Sequence, residues 1–204
     1  MNAAVTAVLL AGGLARRMGG GDKALIELQG KPLVTHAIER LKPQVEAMVL
    51  NANGDAGRFS AQGLPVVADT IAGFAGPLAG ILAGMRWSLR NRPDHRWLLS
   101  VPTDTPFLPA DLVERLMTAR EQAGTRLACA ASAGRTHPVV GLWDVTLADD
   151  LEQAMIDEGM RKIDLWTARH GVATAGFAGG TIDPFFNINR PEDIGMAEEA
   201  LAQG

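Results

Sequence analysis

A glycine-rich basic segment near the N-terminus is the part of the sequence best suited to binding an anion. Residues 10–23 read LAGGLARRMGGGDK, so two arginines and one lysine stand among five glycines. Glycine lets backbone amides approach an anion closely, while arginine and lysine add full positive charge. The segment contains neither the Gly-Lys-Ser/Thr ending of a P-loop nor the G-x-G-x-x-G spacing of dinucleotide folds. It predicts a polyphosphate site, and the alternative is a solvated loop without a ligand.

A single aspartate, Asp104, offers a second kind of chemistry. It follows the apolar residues 97–101 and stands between two prolines in the segment VPTDTPF, residues 101–107. A lone carboxylate at the end of a strand suits Mg²⁺, which binds one or two protein carboxylates and completes its shell with water and phosphate oxygens. Taken alone, however, an aspartate here is more typical of an N-cap for the helix expected near Pro109.

The elements that must position these residues follow an alternating pattern. Short apolar runs and longer helical stretches predict strands at residues 5–10, 47–51, 64–68 and 97–101, and helices at residues 31–41, 77–89 and 109–123. This alternation is typical of parallel strands with helical crossovers on both faces of the sheet. In an open sheet of this kind, ligands bind beyond the carboxyl ends of the strands, where the glycine-rich segment and Asp104 both lie.

The pattern becomes less regular after Arg126. Two strands at residues 127–131 and 139–143 are predicted to join through residues 132–138; helices at about 146–158 and 161–168, a strand at 172–177 and a last helix from Pro191 follow. The predicted fold class is α/β, with a Rossmann-like, mostly parallel central sheet, helices on both faces and a small mixed or antiparallel extension. No linker or repeat divides residues 1–204, so we expect a single domain.

Composition narrows the class of protein. The chain has 204 residues, 47% of them apolar and 21% charged, which is ordinary for a globular domain, and its formal net charge of −4 argues against coating nucleic acid. One cysteine, Cys129, excludes an internal disulfide and is typical of a reducing compartment. No apolar run approaches the ~18 residues of a membrane span. We therefore expect a cytoplasmic monomer that binds neither nucleic acid nor membrane.

Taken together, the motifs resemble the family of molybdenum cofactor guanylyltransferases, within the wider group of α/β nucleotidyltransferases. The shared blocks are short, but they occur in the family's order across nearly the whole chain. They are LAGG at 10–13, DK at 22–23, GKPL at 30–33, NAN at 51–53, Asp69, GPLAGI at 76–81, residues 101–109, HP at 137–138, FNIN at 186–189 and PED at 191–193.

The resemblance implies a reaction and a set of site residues. The family transfers GMP from GTP to the terminal phosphate of Mo-molybdopterin and releases pyrophosphate. The nucleotide site would be formed by Leu10, Ala11, Gly12, Gly13, Lys23, Asn51, Asp69 and Asp104. Arg17, Lys23 and Asp104 would be catalytic, and Asp104 would hold Mg²⁺. Asn187 and Asn189 would contact the acceptor, so the nucleotide-binding part would span about residues 1–108 and the acceptor-binding part about 109–204.

Several residues admit a purely structural role. Asp69 is equally typical of a turn after a strand, and Asn189 of a helix N-cap before Pro191. Gly76 and Gly80 could admit the nucleotide near a helix start, although close helix packing competes at Gly80 and Gly84. His137 is expected to be structural. One departure from the family stands beside Asp104, because Thr103 occupies the position where many relatives carry cysteine.

Two other functions remain open at this stage. One is cytidylyl transfer to the same or a related pterin, against which the Gly12-Gly13 pair of guanylyl enzymes argues by resemblance. The other is a non-catalytic guanine-nucleotide-binding partner, although Arg17, Lys23 and Asp104 together favour an enzyme. A phosphate nucleophile is largely ionised at neutral pH, so the reaction needs no general base. Cofactor-insertion chaperones and molybdoenzymes are candidates for downstream partners.

Overall fold

The central feature of the fold is a seven-stranded sheet. The computed structural model describes residues 3–12, 22–71, 73 and 76–202. Within these residues the sheet contains β1 (Ala3–Leu10), β4 (Val45–Asn51), β5 (Val66–Val67), β6 (Trp97–Pro102), β7 (Leu127–Ser132), β8 (Arg135–Asp144) and β9 (Ala173–Phe177). The short strands β2 (Glu27–Leu28) and β3 (Lys31–Pro32) form a separate antiparallel hairpin.

The order across the sheet is β5-β4-β1-β6-β8-β7-β9. The first four of these strands are parallel to one another, β8 is antiparallel to both of its neighbours, and β9 is parallel to β7. Strand β8 therefore runs opposite to the others. This arrangement confirms the predicted α/β class with a mostly parallel sheet and a mixed extension.

Helices cover both faces of the sheet. The described residues form α1 (Leu33–Leu41), α2 (Pro77–Asn91), α3 (Leu112–Ala123), α4 (Ala148–Asp157), α5 (Ile163–His170) and α6 (Pro191–Ala202). In β1, Val5, Ala7 and Leu9 pack in the apolar cluster that includes α1 and α3, whereas Val8 packs in the cluster that includes α2, α4 and α5. This alternation buries both faces of the strand, as a covered parallel sheet requires. No helix in the described part of the chain is long and apolar enough to cross a membrane.

Most predicted boundaries differ from the observed ones by a few residues, and two of these differences have a clear structural cause. Strand β8 begins at Arg135, because Ala133 and Gly134, at φ of 47° and 74°, close a tight hairpin where a longer connection was predicted. Pro138 is tolerated because the β7–β8 register shifts there, from Cys129 opposite Gly141 to Ala130 opposite His137. Helix α1 begins two residues later than predicted, since β3 occupies those residues.

Glycines let α2 approach the sheet closely. A Cβ atom at Gly84 would lie 2.7 Å from Val8 Cβ, and one at Gly80 would lie 2.3 Å from Asn51 Oδ1. Both distances are too short for real atoms. Close packing, one of the two explanations open from the sequence, therefore accounts for Gly80 and Gly84. Gly76 has the left-handed φ of 71° and lies before the helix.

We predict that Gly84→Ala lowers the free energy of unfolding by about 1–3 kcal/mol, because the added methyl group overpacks the α2–β1 contact. Gly195→Ala in α6 is the matched control, since a Cβ there meets no heavy atom of the described residues within 4 Å outside its own helix. The control should be neutral or stabilising by about 0.5–1 kcal/mol from helix propensity. Urea unfolding measures both variants. A Gly84→Ala protein as stable as the parent would contradict the packing argument.

Candidate active site

Three strand ends define the position of the site. Leu10, at the end of β1, is in register with Asn51 at the end of β4 and with Pro102 at the end of β6. The residues that follow these strands consequently emerge at the same height on the carboxyl edge of the sheet, where ligands of open α/β sheets bind. A cleft of about 340 Å³ opens there, lined by Leu10, Gly12, Lys23, Asn51, Asn53, Asp69, Gly76, Pro77, Pro102, Thr103, Asp104 and Val139.

Most of the nucleotide-site residues predicted from the sequence meet in this cleft. They are Leu10, Gly12, Lys23, Asn51, Asp69 and Asp104. Ala11 is buried, and its backbone N–H donates to the Asn51 carbonyl at 2.9 Å, so its part in the site is to join two strand ends. Gly13 and Arg17 lie outside the residues that the structure describes.

Lys23 contacts both the predicted nucleotide-binding part and the predicted acceptor-binding part of the chain. Its ammonium group forms an ion pair with Asp104, and both side chains are sheltered, at 13% and 16% exposed. The same Nζ donates to Asn189 Oδ1 at 2.6 Å. Alongside, the Ile188 N–H donates to the Asp104 carbonyl at 3.0 Å. Residues from the predicted donor and acceptor parts of the chain are therefore in direct contact.

We call residues 183–189 the acceptor segment, because Asn187 and Asn189 are predicted to contact the acceptor. Exposed and buried side chains alternate at its end, as expected of an extended chain. Asn187 and Asn189 are exposed, whereas Ile188 between them is fully buried. Thr105 Oγ1 donates to Asn187 Oδ1 at 2.8 Å. The N-cap explanation for Asn189 fails, because its Oδ1 accepts from Lys23 and not from the first turn of α6, whereas Asp193 Oδ2 accepts the N–H groups of Asn189 and Arg190 at 2.7 and 2.8 Å.

Asp104 does not act as a helix cap, and its carboxylate lies in the cleft. Helix α3 begins after Asp111, and the Asp104 carboxylate instead faces Lys23 through Oδ2. Its Oδ1 is buried and has no hydrogen-bond partner among the described residues. In that part of the chain, no group of three or more His, Cys, Asp or Glu residues could hold a metal by itself. A cation here would need ligands from elsewhere, such as phosphate oxygens and water.

Two amide side chains fix the carboxylate of Asp69. Asn51 Nδ2 donates to Asp69 Oδ1 at 2.9 Å and Asn53 Nδ2 donates to Oδ2 at 2.8 Å, while the Asp69 N–H donates to Asn53 Oδ1 at 2.9 Å. A carboxylate oxygen can accept two hydrogen bonds, and each oxygen of Asp69 accepts one from these amides, so both can still accept one from a ligand. Asn53 belongs to the NAN block named in the sequence analysis, but it was not predicted as a site residue. Its alternation with Asn51 along an extended segment was the available signal.

A cluster of Ser132, His137 and Asp183 anchors the start of the acceptor segment. Ser132 Oγ lies 2.7 Å from His137 Nε2 and 2.9 and 2.7 Å from the two Asp183 oxygens. A carboxylate only accepts, so the single serine hydrogen goes to Asp183 and the histidine donates to the serine. Burial and then Arg135 lower the pKa of His137, against the opposing effect of Asp183. Because the histidine is the donor, it does not activate Ser132 as a nucleophile, and the cluster is structural.

Thr103 also has a structural explanation. It is buried, and its N–H and Oγ1 each donate to the Leu10 carbonyl at 3.3 Å. The hydroxyl thus ties the end of β6 to the end of β1, immediately before Asp104.

A mostly parallel sheet with a lysine and two aspartates in a cleft at its carboxyl edge is the arrangement expected of an α/β nucleotidyltransferase. Residues 7–171 match the family model described as the MobA-like NTP transferase domain. The molybdenum cofactor guanylyltransferase of Rhodopseudomonas palustris (strain BisB5) is 53% identical over 195 residues, covering 96% of this chain and 93% of the relative. The chain belongs to the molybdenum cofactor guanylyltransferase family, which confirms the resemblance drawn from its motifs.

Further relatives agree with this placement. The molybdenum cofactor guanylyltransferase of Bradyrhizobium sp. (strain ORS 278) is 54% identical over 199 residues, covering 98% of this chain and 94% of the relative. Among solved structures, molybdopterin-guanine dinucleotide biosynthesis protein A from Archaeoglobus fulgidus aligns with a TM-score of 0.75 at 27% identity, covering 98% of this chain and 100% of that one.

We predict that Asp104→Asn keeps the fold and lowers nucleotidyl-transfer turnover by about 10²–10³-fold, the usual cost of removing one electrostatic group from an active site. The amide keeps the shape of the side chain but loses the charge that faces Lys23 and a cation. Pyrophosphate release at saturating GTP gives the turnover, and thermal melting checks the fold. Asp111→Asn is the control, because this exposed aspartate pairs only with Arg115 among the described residues. Near-normal turnover of Asp104→Asn would remove this residue from the mechanism.

Proposed function

We propose that this chain transfers GMP from GTP to the terminal phosphate of Mo-molybdopterin, releasing pyrophosphate and forming the guanine dinucleotide form of the molybdenum cofactor. The observation that carries the proposal is the contact of Lys23 with both Asp104 and Asn189. This contact supports a single reaction centre between the donor site and the acceptor segment. The relatives named above supply the identity of the two substrates.

The bond changes follow from these substrates. An oxygen of the acceptor phosphate attacks the α-phosphorus of GTP and forms a new P–O bond. The bond between the α-phosphorus and the oxygen bridging to the β-phosphate breaks, and pyrophosphate leaves with the electron pair. Lys23 neutralises charge on the phosphates as they rearrange, and we propose that Arg17 joins it.

The cleft is suited to a reaction without a general base. The second pKa of a phosphate monoester is about 6, so the nucleophile is largely ionised at neutral pH. Among the described residues that line the cleft, no histidine or glutamate is present, and the only acidic side chains are Asp69 and Asp104. The work of the protein is therefore to hold the two phosphates in line and to balance their charge.

We propose that Asp104 holds a divalent metal, and that this metal is Mg²⁺. Its buried Oδ1, without a partner among the described residues, fits a single protein ligand to a hard cation. When bound, Mg²⁺ supplies positive charge beside the phosphate oxygens. Asp104 would fix the position of the metal. Lys23 would then pair with phosphate oxygens instead of with Asp104.

The nucleoside is proposed to lie at the Gly12 and Asp69 side of the cleft. A Cβ atom at Gly12 would meet no heavy atom of the described residues within 4 Å, so this glycine faces open space. Asp69, held by Asn51 and Asn53, presents fixed acceptors to guanine N–H groups or to the ribose hydroxyls. A fixed carboxylate favours a base with donors on its edge over one with acceptors.

We predict that GTP with Mg²⁺ stabilises the protein much more than CTP or ATP at matched concentration. A ligand at about 100 times its Kd adds about 2.7 kcal/mol by mass action. Thermal melting with each nucleotide measures the difference, and Gly12→Ala should reduce the shift with GTP more than with the others.

Incubation with each nucleotide, Mg²⁺ and Mo-molybdopterin, followed by measurement of the product mass, identifies the reaction. A cytidine dinucleotide product would favour cytidylyl transfer, and binding without any product would favour a non-catalytic partner.

We predict that Asn187→Ala leaves GTP affinity within about twofold of the parent but weakens Mo-molybdopterin binding by about two- to tenfold, the contribution of one neutral hydrogen bond. The reason is that Thr105 engages the Asn187 oxygen, whereas the donor group of this exposed amide has no partner among the described residues and is free to bind a ligand. Titrations with GTP and with Mo-molybdopterin give the two affinities. Asn91→Ala, which removes an exposed amide from the end of α2, should change neither. If Asn187→Ala loses affinity for GTP but keeps full affinity for Mo-molybdopterin, the segment binds GTP and our assignment of it to the acceptor is wrong.

A further inference from the structure

Arg58 lies outside the cleft but contacts two of the segments that form it. It belongs to the 3-10 helix Ala56–Gln62, which follows β4. Its Nε forms an ion pair with Asp22 Oδ2, its Nη2 donates to the Asn53 carbonyl at 2.8 Å, and its Nη1 donates to the Asp55 carbonyl at 2.5 Å. Every nitrogen of the guanidinium group is thus engaged with an acceptor.

The first of these contacts leads to the phosphate end of the cleft. Asp22 immediately precedes Lys23, and its carbonyl accepts the Leu25 N–H at 3.0 Å, so Asp22 begins the 3-10 helix Lys23–Leu25. The Asp22 carboxylate is only 17% exposed and Arg58 is 26% exposed, so water screens this ion pair less than a fully exposed one. By holding Asp22, Arg58 therefore fixes the backbone position of the next residue, Lys23.

The second contact leads to the nucleoside end. The Asn53 carbonyl is bound by Arg58, and the Asn53 side chain exchanges two hydrogen bonds with Asp69, at 2.8 and 2.9 Å. An unbroken path of contacts joins Asp22, Arg58, Asn53 and Asp69. The two ends of this path flank the cleft.

An arginine suits this position better than a lysine. The planar guanidinium group presents donors in several directions with fixed geometry, whereas an ammonium group is a compact point charge. The face of the group also lies over the ring of Phe59, with Cζ 4.8 Å from the ring centroid, which restricts its rotation.

We propose that Arg58 is a positioning residue that sets the spacing between Lys23, at the phosphates, and Asp69, at the nucleoside. This inference rests on the proposed function in assuming that one nucleoside triphosphate spans both side chains. A preset spacing spares the ligand the cost of ordering the two segments separately. Arg58 does not touch the ligand itself and acts through Asp22 and Asn53.

The test separates the two ends of GTP by using each alone. Guanosine reports the nucleoside end, inorganic triphosphate with Mg²⁺ reports the phosphate end, and calorimetry or NMR titration measures both without the acceptor. Arg58→Met should weaken each ligand about tenfold. Asp22→Asn should weaken triphosphate binding about tenfold and leave guanosine binding unchanged. It removes the charge that pairs with Arg58 but keeps the contacts from Arg58 through Asn53 to Asp69. Arg58→Lys, which keeps a charge beside Asp22, should recover triphosphate binding but not guanosine binding.

Arg86→Met is the matched control for the loss of a guanidinium group. Arg86 is 23% exposed and pairs with Asp149 and Glu152, away from the cleft, so both ligands should bind this variant as they bind the parent. Parent-like binding of both ligands by Arg58→Met would overturn the inference, as would equal weakening of guanosine by Asp22→Asn. If Arg58→Met fails to fold, the other two variants still test the inference, because Asp22→Asn should weaken only triphosphate binding and Arg58→Lys only guanosine binding. A parent that binds GTP but forms no dinucleotide would defeat the proposed function and leave the Arg58 comparison intact.

Discussion

Three backbone hydrogen bonds continue the parallel ladder past the ends of the strands, and the geometry of the cleft depends on them. The N–H groups of Ala52, Ala11 and Thr103 donate in turn to the carbonyls of Val67, Asn51 and Leu10. Each bond joins the first residue after one strand to the last residues of its neighbour, from β5 across to β6. Because backbone geometry fixes this register, the side chains that follow the strands have little freedom to drift apart.

The ion pair between Lys23 and Asp104 follows from that register. Both charges are sheltered from water, where either alone would carry a large desolvation cost, and each offsets part of this cost for the other. A triphosphate with a cation offers both residues new partners of the correct sign. With such a ligand bound, neither charge would be left without a partner, which would allow a lysine and an aspartate to coexist at the bottom of the proposed phosphate site.

The sequence predicted the features that depend on local pattern, and missed those that depend on distant pairing. The strand ends, the glycine-rich segment and Asp104 could be found because periodicity and turn residues are local signals. The bond between Arg58 and Asp22 joins residues 36 positions apart, and no period in the sequence encodes it. Residues 132–138 were predicted to connect two strands, because the register shift that lets β8 include Pro138 becomes visible only when β7 lies beside β8.

The proposed acceptor segment presents two uncharged side chains, Asn187 and Asn189, to a proposed reaction between polyanions. At its start, Asp183 is held by Ser132; at its end, Asn189 is held by Lys23, and Ile188 between them is buried in an apolar cluster with Leu28 and Leu33. Attachment at both ends and in the middle fixes the segment without placing a charge on its exposed side chains. An aspartate in place of either asparagine would repel the phosphates that are proposed to meet there, whereas a lysine would compete for Asp104. Amide groups on a well-anchored segment avoid both problems, which suits a reaction that depends on positioning rather than on proton transfer.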